Sequence, residues 1–212
     1  MASEERNESR ALSLRWTLSS AAGLAVGLVA ALLLGAPIGA VVGAMLVTPI
    51  LTGIVGAVLG TSQWLLLRRR LANARRWIPA SAVGLGLGLA AGVVLVEQTG
   101  RALTGGQVNV RMFSVPVRAG SMAVVGLVSG LALGAAQWWV LRRHSGMASR
   151  WFWASALAFP VSFFVSSLLA DLVFGGLTAP PGFIAFVLAA GLLAGAMTAN
   201  QASRLGNGAA SA

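Results

Sequence analysis

The chain has 212 residues, 57% of them hydrophobic and 9% charged, with a formal net charge of +10 and no cysteine, lysine or tyrosine. So few polar residues cannot coat a water-soluble globule of this size, which makes lipid the solvent. Without cysteine there is no disulfide or thiol chemistry and without lysine no Schiff base, while arginines lying between apolar stretches fit lipid headgroups and topology better than nucleic acid.

In chain order, residues 1–14 (MASEERNESRALSL) form a polar segment predicted to be cytoplasmic. Crossing about 30 Å of hydrocarbon takes roughly 20 residues at about 1.5 Å each. Six apolar stretches meet that length, near 16–35, 43–67, 77–97, 117–141, 151–173 and 182–201, so 15–201 reads as an all-α, six-span transmembrane helical bundle. No charge occurs from Pro37 to Leu67; the second span is either one tilted helix kinked at Pro49 or a helix preceded by a short interfacial turn. The longest connection, 98–116, alternates Val108, Val110 and Met112, as a short strand or interfacial segment would. Residues 202–212 (ASRLGNGAASA) predict a disordered cytoplasmic tail.

An internal repeat organises these spans. Residues 56–82 laid on 130–156 without a gap agree at 14 of 27 positions, through Gly-x3-Gly-x2-Gln-Trp-x2-Leu-Arg-Arg and Arg-Trp-x2-Ala-Ser-Ala. The second half of the unit recurs at the start of the chain, where 15–34 laid on 76–95 agree at 10 of 20. A weaker first half lies at Gly191-x3-Gly195, where the place of the repeated glutamine falls to Thr198 or, with a shift of register, to Gln201. If spans six and one pair in space, the bundle is a circularly permuted pseudo-threefold ring of helix hairpins. The match of the first span to an interior one also predicts a retained helix and no cleaved leader.

Orientation follows from the arginines. Arg68, Arg69, Arg70, Arg75, Arg76, Arg142, Arg143 and Arg150 in the hairpin turns, with Arg6, Arg10, Arg15 and Arg204, place twelve of fifteen on one side. By the positive-inside rule that side, which holds both termini, is cytoplasmic. Trp16, Trp64, Trp77, Trp138, Trp139, Trp151 and Trp153 fall at the same interface, where an indole buries its ring and hydrogen-bonds its N–H. Arg68, Arg69, Arg76, Arg142, Arg143 and Arg150 are therefore the candidates for headgroup contact, with the fixing of topology as the plainer role. Glycines four apart, such as Gly56/Gly60, Gly88/Gly92 and Gly130/Gly134, predict close helix seams.

Polar groups at membrane depth are the candidate sites, because each is costly there unless paired or wetted. Glu97 and Asp171 are separated by the repeat offset of 74 residues and lie twenty beyond the Trp of their Arg-Trp pairs, so both reach the interface opposite the tryptophans. Arg118, on the oppositely running fourth span, reaches a similar depth, and a cluster Glu97, Arg118, Asp171 is expected. It reads either as a structural ion pair or as a proton or cation site. Gln63 and Gln137, one per repeat, with Ser81 and Ser155 on the partner helices, make a second constellation near the tryptophan end. Interhelical bonding is the plainer reading and substrate contact the sharper one.

Enzymatic chemistry finds little support. His144 is the single histidine and lies in a turn, which leaves no zinc or haem ligand set and no serine–histidine pair at membrane depth; no cofactor and no metal is implied. The repeated Gln-Trp-x2-Leu-Arg-Arg turn resembles one in uncharacterised bacterial multi-spanning membrane proteins built of tandem helix hairpins, a resemblance that covers 56–82 and 130–156 and brings no activity with it. The layout is similar in outline to mitochondrial carriers, but their Pro-x-Asp/Glu-x2-Lys/Arg signature is missing. The expected protein is a non-catalytic scaffold, assembly or partner-binding component of the bacterial inner membrane, its partners lipid, itself or another membrane protein and no nucleic acid. The alternative is a small channel or secondary transporter for protons, cations or a small solute.

Overall fold

The structure, a computed structural model, describes residues 2–42, 44–68, 71, 74–106, 113–142, 147–177 and 179–208. They form six long helices: α1 (Ala2–Val42), α2 (Ala44–Leu67), α3 (Trp77–Thr104), α4 (Val115–Leu141), α5 (Ala148–Phe174) and α6 (Pro180–Gly208), with one 3-10 turn, Ala74–Arg76, leading into α3. All six are long and apolar enough to cross a membrane. Lipid supplies no partner for a bare backbone N–H or C=O, so apolar runs of this length satisfy themselves as helix. The chain is an all-α multi-pass membrane bundle.

Helix ends follow local chemistry. α3 stops at Gly105, whose φ of 67° closes a left-handed cap with its N–H donating to the Arg101 carbonyl, and α5 stops at Gly175, with φ 74°. α4 begins with a proline in its first turn, where the missing N–H costs nothing. Pro37 and Pro49 both sit inside helices, α1 and α2. Residues 202–208, expected as part of a disordered tail, instead continue α6, because Ala202 and Ser203 are buried against the bundle. The short strand or interfacial segment expected at Val108–Met112, and Arg69, Arg70, Arg143 and His144, lie outside the described residues.

Each helix packs on the next in sequence, and α6 packs back on α1. Small residues make the seams. A Cβ added to Gly27 would lie 2.9 Å from the Val55 Cα, one on Gly88 2.7 Å from the Ser129 Cα, one on Gly126 2.7 Å from the Phe159 carbonyl and one on Gly191 2.7 Å from the Ala21 Cα. Such approach replaces the hydrophobic drive that lipid does not offer. The core is layered: tryptophans with Leu67, Leu141 and Ala202 near the end carrying the 67–74 turn, then Leu59, Leu85 and Leu133, then Phe159, Phe163 and Phe186 further along. Leu32, Leu33, Leu103, Leu172 and many other aliphatics face outward, as lipid contact requires.

Candidate functional site

Three of the seven tryptophans are not at the lipid interface. Trp16, Trp77 and Trp151, from α1, α3 and α5, are 0%, 0% and 2% exposed and meet edge to face, with ring centroids 6.5, 5.4 and 5.2 Å apart. Edge-to-face contacts set the positive rim of one ring against the negative face of another, worth about 0.5–1.5 kcal/mol per pair beyond burial. Among the other four, Trp138, Trp139 and Trp153 are exposed; Arg68 lies over Trp64, and Arg142 over both Trp138 and Trp139, as cation–π pairs. Only these four reach the surface, as the expected interfacial belt would require.

Each buried indole N–H is spent on a neighbouring helix. Trp77 Nε1 donates to Gln63 Oε1 at 2.9 Å, Trp151 Nε1 to Gln137 Oε1 at 2.9 Å and Trp16 Nε1 to Thr198 Oγ1 at 3.0 Å. The glutamines then donate onward, Gln63 Nε2 to Ser20 Oγ at 3.2 Å and Gln137 Nε2 to Ser81 Oγ at 3.0 Å. These five bonds cross five of the six seams of the ring, and the Trp77–Gln63 bond recurs at the 74-residue offset as Trp151–Gln137. Gln63, Gln137, Ser81 and Ser155 thus lie in one layer, as expected, but Gln63 reaches Ser20 and not Ser81.

One member of this layer, Ser20, was missed in the sequence. Ser20 stands four residues after Trp16, as Ser81 follows Trp77 and Ser155 follows Trp151, and that spacing is the signal for it. Thr198, not Gln201, receives the third indole; Gln201 Oε1 is buried without a partner. Thr198 also donates to the Ala194 carbonyl at 2.8 Å. The α5–α6 seam, between Ser155 and Thr198, carries no corresponding bond among the described residues. Beside it is a cavity of about 20 Å³, bordered by Ser20, Gln63, Gln137, Ser155 and Thr198 on its polar side and by Leu59, Leu133 and Phe159 on its apolar side. Roughly 10–15 Å³ suffices for one water, and the polar border supplies the two to four partners it needs.

This layer has little chemistry to offer. Amides, hydroxyls and indoles neither titrate near neutral pH nor act as nucleophiles without a base, and here the two amide oxygens and the indole donors are already engaged. Beyond it the axis is filled by aromatic rings, Phe163 meeting Phe186 at 5.3 Å and Phe159 at 5.9 Å.

The charged residues gather at the other end. Arg118 Nε donates to Asp171 Oδ2 at 3.2 Å, its Nη2 lies 3.0 Å from Oδ1, and Nη1 donates to the Phe113 carbonyl at 2.7 Å. The pair is two-pronged and sunken, with side-chain exposures of 25% for Arg118 and 3% for Asp171. Glu97 does not join it: its Oε1 is held by Arg101 one turn along α3, both exposed. Glu97, Arg118 and Asp171 nevertheless border one open groove of about 1130 Å³ between the ends of α3, α4 and α5. The expected three-residue cluster is thus a bound pair and a neighbour sharing its groove. Among the described residues, no group of three histidine, cysteine, aspartate or glutamate side chains could hold a metal ion.

Of the candidates for headgroup contact, Arg68, Arg76, Arg142 and Arg150 are exposed at the tryptophan end; Arg69 and Arg143 fall outside the described residues. No family model matches the chain, and no curated protein and no solved structure matches it.

Proposed function

We propose that this chain is a non-catalytic integral membrane protein, a scaffold or assembly component built of three related helix hairpins, whose bundle associates with itself or with another membrane protein. The observation that carries this reading is how the polar groups at membrane depth are used. Gln63, Gln137, Thr198 and the three indoles bind neighbouring helices, and Phe159, Phe163 and Phe186 occupy the axis where a transport path would run. A pathway needs polar groups whose bonding capacity is left for a passing ion or solute. The arginine turns and the interfacial tryptophans support an inner-membrane placement with both termini in the cytoplasm, and the resemblance of the Gln-Trp-x2-Leu-Arg-Arg turn to bacterial proteins supports the host.

Purified protein in proteoliposomes is expected to carry no proton or cation flux above that of protein-free vesicles. Flux in the parent protein, reduced by Glu97→Gln or Asp171→Asn, would establish the transporter reading instead. Because the chain has no cysteine, topology is open to single-cysteine labelling. Ser149→Cys is expected to be protected from an impermeant maleimide in whole cells and Gly106→Cys to be labelled; the reverse pattern overturns the orientation.

A further inference from the structure

The groove at the charged end is built differently from the seams. On α3 and α4, Gly92 seats on Val125, Gly88 on Ser129 and Gly84 on Leu133, each with backbone within 2.9 Å of an added Cβ. Beyond Gly92 the two helices leave the groove open, and Gly120, at its edge, has nothing within 4 Å of an added Cβ. Glycine within a helix costs about 1 kcal/mol relative to alanine, and here no neighbouring helix uses the close approach it permits. Inward of the mouth at Glu97 and Arg118 the groove runs about 6 Å along α3 to Val93 and about 10 Å along α4 to Val125 at about 1.5 Å per residue, well short of the roughly 30 Å hydrocarbon thickness. A spanning partner helix needs the full thickness; the upper part of a lipid tail in one leaflet does not. The sides, including Val93, Leu95, Val117 and Val124, are aliphatic and exposed.

The mouth carries both signs of charge at one level. The seating of Gly92 on Val125 and Gly88 on Ser129 sets the register; carried outward, it puts Arg118 level with Thr99, two residues or about 3 Å from Glu97. Arg118 has five N–H groups and uses three, so Nη1 and Nη2 each keep one. Glu97 uses Oε1 on Arg101 and leaves Oε2 without a described partner. An occupant suited to this mouth carries a phosphate and, a few ångströms away, a cationic N–H donor.

We propose that the groove binds one phospholipid of the adjoining leaflet with a primary-ammonium headgroup, a phosphatidylethanolamine, its phosphate on Arg118, its ammonium on Glu97 and a tail along the α3–α4 cleft. Choline lipid lacks the N–H that Glu97 would accept, and phosphatidylglycerol lacks the positive charge. The site is independent of whether the bundle has protein partners.

Native mass spectrometry of the delipidated full chain, titrated with phosphatidylethanolamine, phosphatidylcholine and phosphatidylglycerol of the same acyl chains, tests it. The parent is expected to retain phosphatidylethanolamine about tenfold better than phosphatidylcholine, the factor that one charge-assisted hydrogen bond supplies. Glu97→Gln is expected to bring the two to near equality with no change in melting temperature, since it breaks only an exposed pair. Gly120→Phe fills open space and is expected to keep the fold while lowering retention of phosphatidylethanolamine. Equal retention of the three lipids by the parent overturns the proposal, as does retention that Gly120→Phe leaves unchanged. Loss of a protein dimer in Gly120→Phe with lipid retention intact would also overturn it, making the groove a protein interface.

Discussion

Replacing Thr198 by glutamine asks whether the third seam of the tryptophan layer is an incomplete copy of the other two. Gln63 and Gln137 each accept from an indole and donate to a serine on the helix behind; Thr198 accepts from Trp16 but donates to the Ala194 carbonyl of its own helix. A glutamine there keeps the first bond and gains the second, worth about 0.6 kcal/mol for an average interhelical bond in a membrane. Filling a cavity of about 20 Å³ at about 24 cal/mol per Å³ adds about 0.5 kcal/mol. The extra rotamers that glutamine loses take back about 1 kcal/mol. The net change is near zero, where a longer side chain forced into a close-packed interior would cost about 1–3 kcal/mol. Reversible unfolding of Thr198→Gln in bicelles measures it, with Thr198→Val as the contrast: that variant strands the Trp16 N–H and should lose about 1–3 kcal/mol. Adding Ser155→Ala isolates the new bond, since it should cost about 0.6 kcal/mol more in the glutamine background than in the parent. If Thr198→Gln is as unstable as Thr198→Val, or Ser155→Ala costs the same in both backgrounds, the equivalence of the three seams is wrong.

Other outcomes follow from single contacts. Trp77→Phe keeps a ring in the triad but leaves Gln63 Oε1 unpaired, so a loss of about 1–3 kcal/mol is expected, with Trp151→Phe losing a similar amount at Gln137. Ser166 and Ser167 are buried with unpartnered hydroxyls; either one changed to alanine should raise the unfolding midpoint or leave it unmoved, and a loss above about 1 kcal/mol would show a bond at that hydroxyl. Asp171→Asn leaves the Arg118 charge without its sunken partner and should destabilise by about 3 kcal/mol, against less than about 1 kcal/mol for Glu97→Gln in the exposed pair. Gly88→Ala places a Cβ 2.7 Å from the Ser129 Cα, and helix separation should cost about 1–3 kcal/mol, measured by the same unfolding assay.

The sequence by itself determined the number of helices, their near boundaries and the side on which arginine gathers, because partition into lipid is a residue-by-residue free energy that needs no knowledge of neighbours. It also exposed Gln63, Gln137, Arg118 and Asp171, since polar side chains stand out against an apolar background. The arithmetic of the repeat brought Ser81 and Ser155 into the same layer. What it could not decide is the rotation of each helix about its axis. Trp16, Trp77 and Trp151 share a residue type and a depth with Trp138, Trp139 and Trp153, and only the seating of one helix's glycines on the next turns the first three inward and the others out. The same rotation chose Thr198 over Gln201, gave Gln63 to Ser20 in place of Ser81, and paired Glu97 with Arg101 on its own helix while Arg118 reached across to Asp171. Hydropathy is a property of a segment, whereas partner choice is a property of two surfaces in contact, and only the folded bundle holds both surfaces in place.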